Sequence, residues 1–216
     1  LVANMLQVKE LMGANLDEGC EVLIAPLPLY HIYAFTFHCM AMMLIGGHNI
    51  LLTNPRDLPA VVKDLAKYRF TGFVGLNTLF VALCNNEDFR KLDFSALKLT
   101  VSGGMALQLA TAERWKEVTG CAICEGYGMT ETSPVATVNP FSAIQLGTIG
   151  IPVPSTLCKI INDDGQELAI GEIGELCVKG PQVMKGYWQR QEATDEILDA
   201  DGWLKTGDIG LIQEDG

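Results

Sequence analysis

The sequence predicts an α/β fold, a mainly parallel sheet flanked by helices and followed by a smaller antiparallel, barrel-like β subdomain. Three observations point there. Short aliphatic or β-branched runs alternate with longer helical patterns over the first two thirds of the chain. Those runs are apolar at nearly every position, as in strands covered on both faces. After about Pro140 the texture changes to short strands broken by glycine and proline.

The expected strands of the first part cover residues 22–27, 49–53, 72–76, 99–102 and 121–125, and the expected helices 32–45, 58–68, 78–83 and 106–118. In the second of these helices Asp57 is placed to cap the first turn, and Leu58, Val61, Val62 and Leu65 share one face. The segment 22–45 is apolar enough to raise a membrane span, but Pro26, Pro28, His31 and His38 interrupt it. Its uninterrupted part, 32–45, is shorter than the about 20 residues a span needs, so a buried helix is expected. In the second part, 157–162 and 174–179 alternate around Asp163-Asp164-Gly165, a hairpin signal, with one helical stretch at 192–198. The domains are therefore expected at 1–140 and 141–216.

Composition narrows the function. With 15 basic and 26 acidic residues the net charge is −11, the wrong sign for gripping a phosphate backbone, so nucleic acid is excluded as a partner. The seven cysteines are odd in number and scattered, which fits a reduced, cytoplasmic chain, and Cys121 and Cys124 read as core packing rather than a redox or zinc pair. No signal peptide is visible. Both ends read as internal to a longer protein. Leu1, Met5, Val8 and Met12 recur at helical spacing with no capping residue before them, and Leu211-Ile212-Gln213 reads as a strand entering the turn Glu214-Asp215-Gly216 without a returning partner.

Ligands of open parallel sheets bind beyond the carboxyl ends of the strands. Two loops are expected there: Gly103-Gly104-Met105 after one strand and GYGMTETSP (126–134) after another, where they share a cleft if the strands are neighbours. Gly126 and Gly128 allow close backbone approach to a ligand, and Tyr127 between them offers a ring for a planar base; alone, the triplet equally reads as a turn with a half-buried tyrosine. Thr130 and Glu131 are suited to a phosphate oxygen and a Mg²⁺ ion, or else to helix capping, and spacing alone does not choose. Asp208 in GWLKTGDIG (202–210), expected at a strand entrance, suits paired ribose hydroxyls or an ordinary turn. His31, at the mouth of a buried strand, is a candidate base or pocket-lining group, although a lone histidine is more often structural.

Taken together, LPLYHIYAF (27–35), SGGM (102–105), GYGMTETSP (126–134), GELCVKGPQVMKGYW (174–188) and GWLKTGDIG (202–210) resemble, in order and spacing, the adenylate-forming enzyme superfamily. Within it the sequence is most similar to the bacterial long-chain fatty acyl-CoA synthetases, through TNPRDLP (53–59), NTLF (77–80), LDFSALKL (92–99) and IGIPVPST (149–156). The resemblance implies ATP, Mg²⁺, a fatty acid and coenzyme A as reactants, by way of an acyl-adenylate. It assigns Gly103, Gly104, Glu125, Gly126, Tyr127, Gly128 and Met129 to the adenine pocket, Thr130 to phosphate, Glu131 to Mg²⁺ and Asp208 to ribose. The apolar helix after His31 becomes a wall of the acyl tunnel with His31 at its entrance. A ligase for another carboxylic acid, or a non-catalytic nucleotide or acyl binder on the same fold, is the alternative. The family's phosphate loop belongs before Leu1 and its C-terminal domain, with the adenylation lysine, after Gly216. Residues 1–216 alone are therefore expected to lack ligase activity and to bind ATP weakly. A fatty substrate also implies peripheral contact with the inner face of the cell membrane, although no basic amphipathic helix supports it; oligomeric state is not legible.

Overall fold

The computed structural model describes residues 1–216, the side chain of Ala14 excepted. The chain opens with α1 (Val2–Met12) and then alternates: β1 (Val22–Ala25), a long helix over 32–44, β2 (His48–Leu51), α4 (Leu58–Leu65), β3 (Gly72–Gly75), α5 (Asn77–Cys84), β4 (Leu99–Ser102), α6 (Leu109–Thr119) and β5 (Ile123–Gly128). The long helix comprises α2 (Ile32–Ala34), a π-helical segment (Phe35–Ala41) and α3 (Met42–Leu44). Next come β6 (Val135–Val138) and β7 (Ile151–Pro152), which complete a seven-stranded sheet of order β2-β1-β3-β4-β5-β6-β7. The run β2 to β5 is parallel, and β6 and β7 are antiparallel.

Each strand of the parallel region divides its side chains between two apolar layers, which is why the runs are apolar throughout. Leu23, Val74, Leu99 and Val101 face α1 and the 32–44 helix, packing with Val8, Met12, Tyr33, Phe37 and Met42. On the other face, Ile24, Phe73 and Ile123 meet α4, α5 and α6. The centre of that second layer is Trp115, fully buried, with its ring centroid 4.7 Å from Phe80 and 5.3 Å from Phe73. Its indole N–H donates to Thr100 Oγ1 at 3.1 Å. Asp57 caps α4 as expected, accepting from the Ala60 N–H at 3.2 Å.

A second sheet, β10-β9-β8, is antiparallel and built from β8 (Leu157–Ile161), β9 (Gly174–Lys179) and β10 (Leu204–Gly210), with α7 (Gln191–Ile197) between the last two strands. The Asp164-Gly165 turn forms as expected. Gly165 has φ +77° and donates to the Asn162 carbonyl at 2.9 Å. This sheet packs against the large one through Ile160, Leu176 and Val178 around Ala136 and Tyr127. Ile151 and Pro152, although they lie beyond residue 140, pair with β6 at the edge of the large sheet.

Four expectations are corrected. The strand expected to end at Glu125 continues to Gly128, because β6 follows after one tight turn and gives it an antiparallel partner, with Tyr127 opposite Thr137. The helix over 32–44 is not buried all round: Met43 is 74% exposed. Its π geometry arises where Asn49 of β2 engages it, Nδ2 donating to the His38 carbonyl at 3.0 Å and Oδ1 lying 2.7 Å from His38 Nδ1. Burial pushes His38 down to about 4, against the Asn49 contact, so the ring stays neutral. Residues 211–213 form no strand; the sheet ends at Gly210, and Ile212 instead accepts from the Gly171 N–H at 2.9 Å. Asp208 lies inside β10, at a register shift between Lys205 and Ile209, rather than at a strand entrance. Among the described residues no helix is long and apolar enough to cross a membrane.

Candidate functional site

A cavity of about 340 Å³ opens beyond the carboxyl ends of β4 and β5, the position that a parallel sheet reserves for ligands. The two glycine segments do share it. Gly103 and Gly104 line one side and Gly126 to Glu131 the other. A Cβ on Gly103 would sit 3.3 Å from the Tyr33 ring and 3.5 Å from the Gly126 carbonyl, so the two segments are in close contact.

Gly128 has a different reason from the one its sequence context implies. A side chain there would overlap the Pro134 carbonyl, which returns to accept from the Met129 N–H at 3.1 Å. The glycine closes the turn on itself, and the turn then faces outward into the cavity. Inside the turn the capping hydroxyl is that of Thr132, fully buried, which accepts from the Met129 N–H at 3.0 Å and donates to Pro134. That duty falls on Thr132, so Thr130 is left exposed at the cavity and Glu131 half-buried beside it.

Two carboxylates are tied to tyrosines. Tyr127 donates its hydroxyl to Asp208 Oδ2 at 2.5 Å, across 81 residues of sequence. Burial and then the Asp208 hydrogen bond hold this phenol well above its usual range, so it stays protonated and remains the donor. The Tyr127 ring packs on Ala136, Ile160, Leu176 and Val178 and also contributes to the cavity wall. Tyr187 donates to Glu131 Oε1 at 2.6 Å. Asp208 itself is exposed and joins the cavity only through Tyr127.

Glu125 is not brought to the cavity. Its carboxylate is buried and accepts from the Leu107 N–H at 2.8 Å, and its carbonyl accepts from Asn139. Burial raises its pKa against that hydrogen bond. The residue anchors the loop after Gly103-Gly104 from behind. His31 reaches the rim, where its Nδ1 accepts from the Tyr33 N–H at 3.2 Å and caps α2. This fixes the tautomer with the proton on Nε2, which leaves Nε2–H as a donor toward a ligand.

Apart from Ser102, the rest of the wall is mainly apolar: Val8, Leu11 and Met12 from α1, Phe37 from the π segment, and Val138 and Phe141. Sequence reasoning found the helix after His31 but missed α1 and Phe141, whose contribution depends on packing between elements far apart in the chain. Tyr187 gave no spacing signal either. Among the described residues no group of three His, Cys, Asp or Glu side chains forms a metal site. Glu131 is the acidic side chain in the cavity wall, which fits an ion such as Mg²⁺ that is held by one or two carboxylates together with substrate phosphates. The two cysteines of the CxxC are buried; burial pushes the Cys124 thiol up to about 12, and its Sγ donates to the Asn139 carbonyl at 3.0 Å, a packing role.

Comparison with known proteins agrees with this geometry. The family model described as AMP-binding enzyme matches residues 1–188. The long-chain-fatty-acid–CoA ligase of Salmonella typhimurium is 55% identical over 217 aligned residues, covering 100% of this chain and 38% of the relative. That of Haemophilus influenzae is 57% identical, with 99% and 38% covered. The chain thus spans well under half the length of these relatives. Among solved structures, ATP-bound MatB from Rhodopseudomonas palustris superposes with a TM-score of 0.89 at 31% identity, over 100% of this chain and 42% of that one. A long-chain-fatty-acid-CoA ligase from Archaeoglobus fulgidus gives 0.85 at 26%, over 99% and 45%. A parallel sheet with its cavity at the strand ends, and a family match across most of its length, place the chain in the AMP-binding enzyme family.

Proposed function

We propose that these residues form the acyl and nucleotide pocket of an ATP-dependent ligase that joins a long-chain fatty acid to coenzyme A. The observation that carries this is one cavity with two kinds of wall: a polar rim of His31, Thr130 and Glu131, and an apolar wall running from Val8 to Phe141. A fatty acid fits it with its carboxylate at the rim and its chain along the apolar side, a match of ligand to wall that stabilises by roughly 0.8 kcal/mol per buried CH₂. Residues 1–140 supply the rim and all of the apolar wall except Phe141, and 141–216 supply Phe141, Asp208 and Tyr187.

In the first step a carboxylate oxygen of the acid bonds to the α-phosphorus of ATP as the bond to pyrophosphate breaks. In the second the thiol sulfur of coenzyme A attacks the acyl carbon and AMP leaves. Mg²⁺, held at Glu131 together with the phosphates, would neutralise charge there. The chain's own groups position the rest. Tyr127 offers its ring to the adenine between the Gly103-Gly104 and Gly126 backbones, Thr130 donates to a phosphate oxygen, and Asp208 accepts from the ribose hydroxyls. His31 Nε2–H donates to the acyl carboxylate, holding it at the rim. Tyr127 with Asp208, and His31, are held by their own hydrogen bonds before the reaction, so little reorganisation of these groups accompanies it.

The test is exchange of labelled pyrophosphate into ATP by the full-length protein, expected to require a long-chain fatty acid. Exchange supported by aromatic acids but not by fatty acids would change the acid, and no exchange with any acid would overturn the reading. Asp208→Ala is expected to raise the ATP concentration for half-maximal exchange by about tenfold or more, since one hydrogen-bonding charged group contributes roughly 1.5–3 kcal/mol. An unchanged ATP requirement would remove the ribose contact.

A further inference from the structure

Residues 182–187 reach the site turn at three points. Ser133 Oγ donates to the Gln182 carbonyl at 2.8 Å, the Met184 N–H to the Glu131 carbonyl at 2.8 Å, and the Tyr187 hydroxyl to Glu131 Oε1 at 2.6 Å. The segment is itself anchored at both ends. Gln182, 1% exposed, donates to Thr156 Oγ1 at 2.7 Å and accepts from Gln7 Nε2 at 3.2 Å, a buried amide network that begins on α1. At the other end the Tyr187 N–H donates to Thr194 Oγ1 of α7 at 2.9 Å. Gly186, at φ +144°, leaves the space that the Thr194 side chain fills; a Cβ there would come within 2.8 Å of it.

We propose that Tyr187 is a positioning residue for Glu131, fixing the carboxylate so that Oε1 is held by the phenol and Oε2 is presented to a divalent cation that arrives with the nucleotide. This rests on the reading of Glu131 as the cation-holding carboxylate. The terminal torsion of a glutamate is broad, so a half-exposed carboxylate on a tight turn samples many orientations unless one oxygen is pinned. The phenol supplies that pin from a separate part of the fold, and its own backbone is locked to α7. A carboxylate has lone pairs for both partners at once, so cation binding does not require the phenol to leave. Tyr187 is 39% exposed, and Tyr187→Phe keeps its ring, which separates the role of the hydroxyl from that of the packing.

The experiment is calorimetric titration of ATP into the full-length protein at stepped Mg²⁺ concentrations, for the parent sequence, Tyr187→Phe, Glu131→Gln and the double variant. Tyr187→Phe is expected to raise the Mg²⁺ concentration that half-restores ATP affinity by about tenfold, the order of one charge-assisted hydrogen bond. Metal-free ATP affinity and melting temperature should stay unchanged. In the Glu131→Gln background the same substitution should have no further effect. If Glu131→Gln shifts the Mg²⁺ midpoint and Tyr187→Phe does not, the positioning role is overturned while the cation role stands. An equal shift from Tyr187→Phe in both backgrounds overturns it too, because the effect then bypasses Glu131. If Glu131→Gln leaves the midpoint unmoved, the cation role and this proposal fall together.

Discussion

Glu131→Ala in the full-length protein is expected to slow acyl-adenylate formation by about 10²–10³-fold, the range seen when one preorganised electrostatic group is removed from a transition state. The turn that carries Glu131 does not depend on its carboxylate. The Thr132 hydroxyl, the Pro134 carbonyl and the Met184 N–H hold the backbone, and the last of these bonds goes to the Glu131 carbonyl, which alanine retains. Fold and melting temperature should therefore survive the substitution. The loss should appear in single-turnover adenylate formation and should be larger at low Mg²⁺ than at high. Wild-type kinetics at limiting Mg²⁺ would remove Glu131 from the reaction.

Trp115→Ala should act on the opposite face of the sheet and on stability alone. The side chain is fully buried against Phe73, Phe80 and Phe89, and its N–H is the donor to Thr100 Oγ1. Removing it leaves a void among rings held by two separate helical elements and a strand, which cannot all collapse inward, and a buried hydroxyl without its donor. Substitutions of this kind cost about 3–5 kcal/mol, a large part of the roughly 5–15 kcal/mol that holds a domain folded. Thermal unfolding followed by circular dichroism should show a fall of about 10 °C. Trp115→Phe, which keeps most of the packing, should fall by less. A change of under about 2 °C for the alanine variant would mean that this layer is not the centre of the core.

The parallel strands were legible because burial on both faces leaves the same apolar run wherever it occurs, and Leu23 beside Ile24, or Phe73 beside Val74, serves both layers. β6 was not legible. Its four residues follow Pro134 directly, and they become a strand only because Gly128 lets the chain fold back at van der Waals contact. The site was legible in its residue types and not in its pairings. Nothing in the spacing shows that Asp208 meets Tyr127 or that Tyr187 meets Glu131, since these contacts span 81 and 56 residues of sequence. The pairing of the Glu125 side chain was hidden for a related reason. The residue sits in the motif beside Gly126, yet strand alternation turns its side chain to the other face, where Leu107 holds it. The π segment is likewise invisible from its own residues, because the group that accompanies its widening, Asn49, comes from β2.

In the proposed complex adenine lies between the Gly103-Gly104 and Gly126-to-Met129 backbones beside Tyr127. Photolabelling the full-length protein with an 8-azidoadenosine nucleotide and mapping the adduct by mass spectrometry tests it most directly. The adduct should fall on peptides containing those residues, and excess ATP should suppress it. An ATP-protected adduct in the groove of the small sheet, around Asn162, Glu175 and Lys205, with none at Tyr127 or its neighbours, would contradict the account.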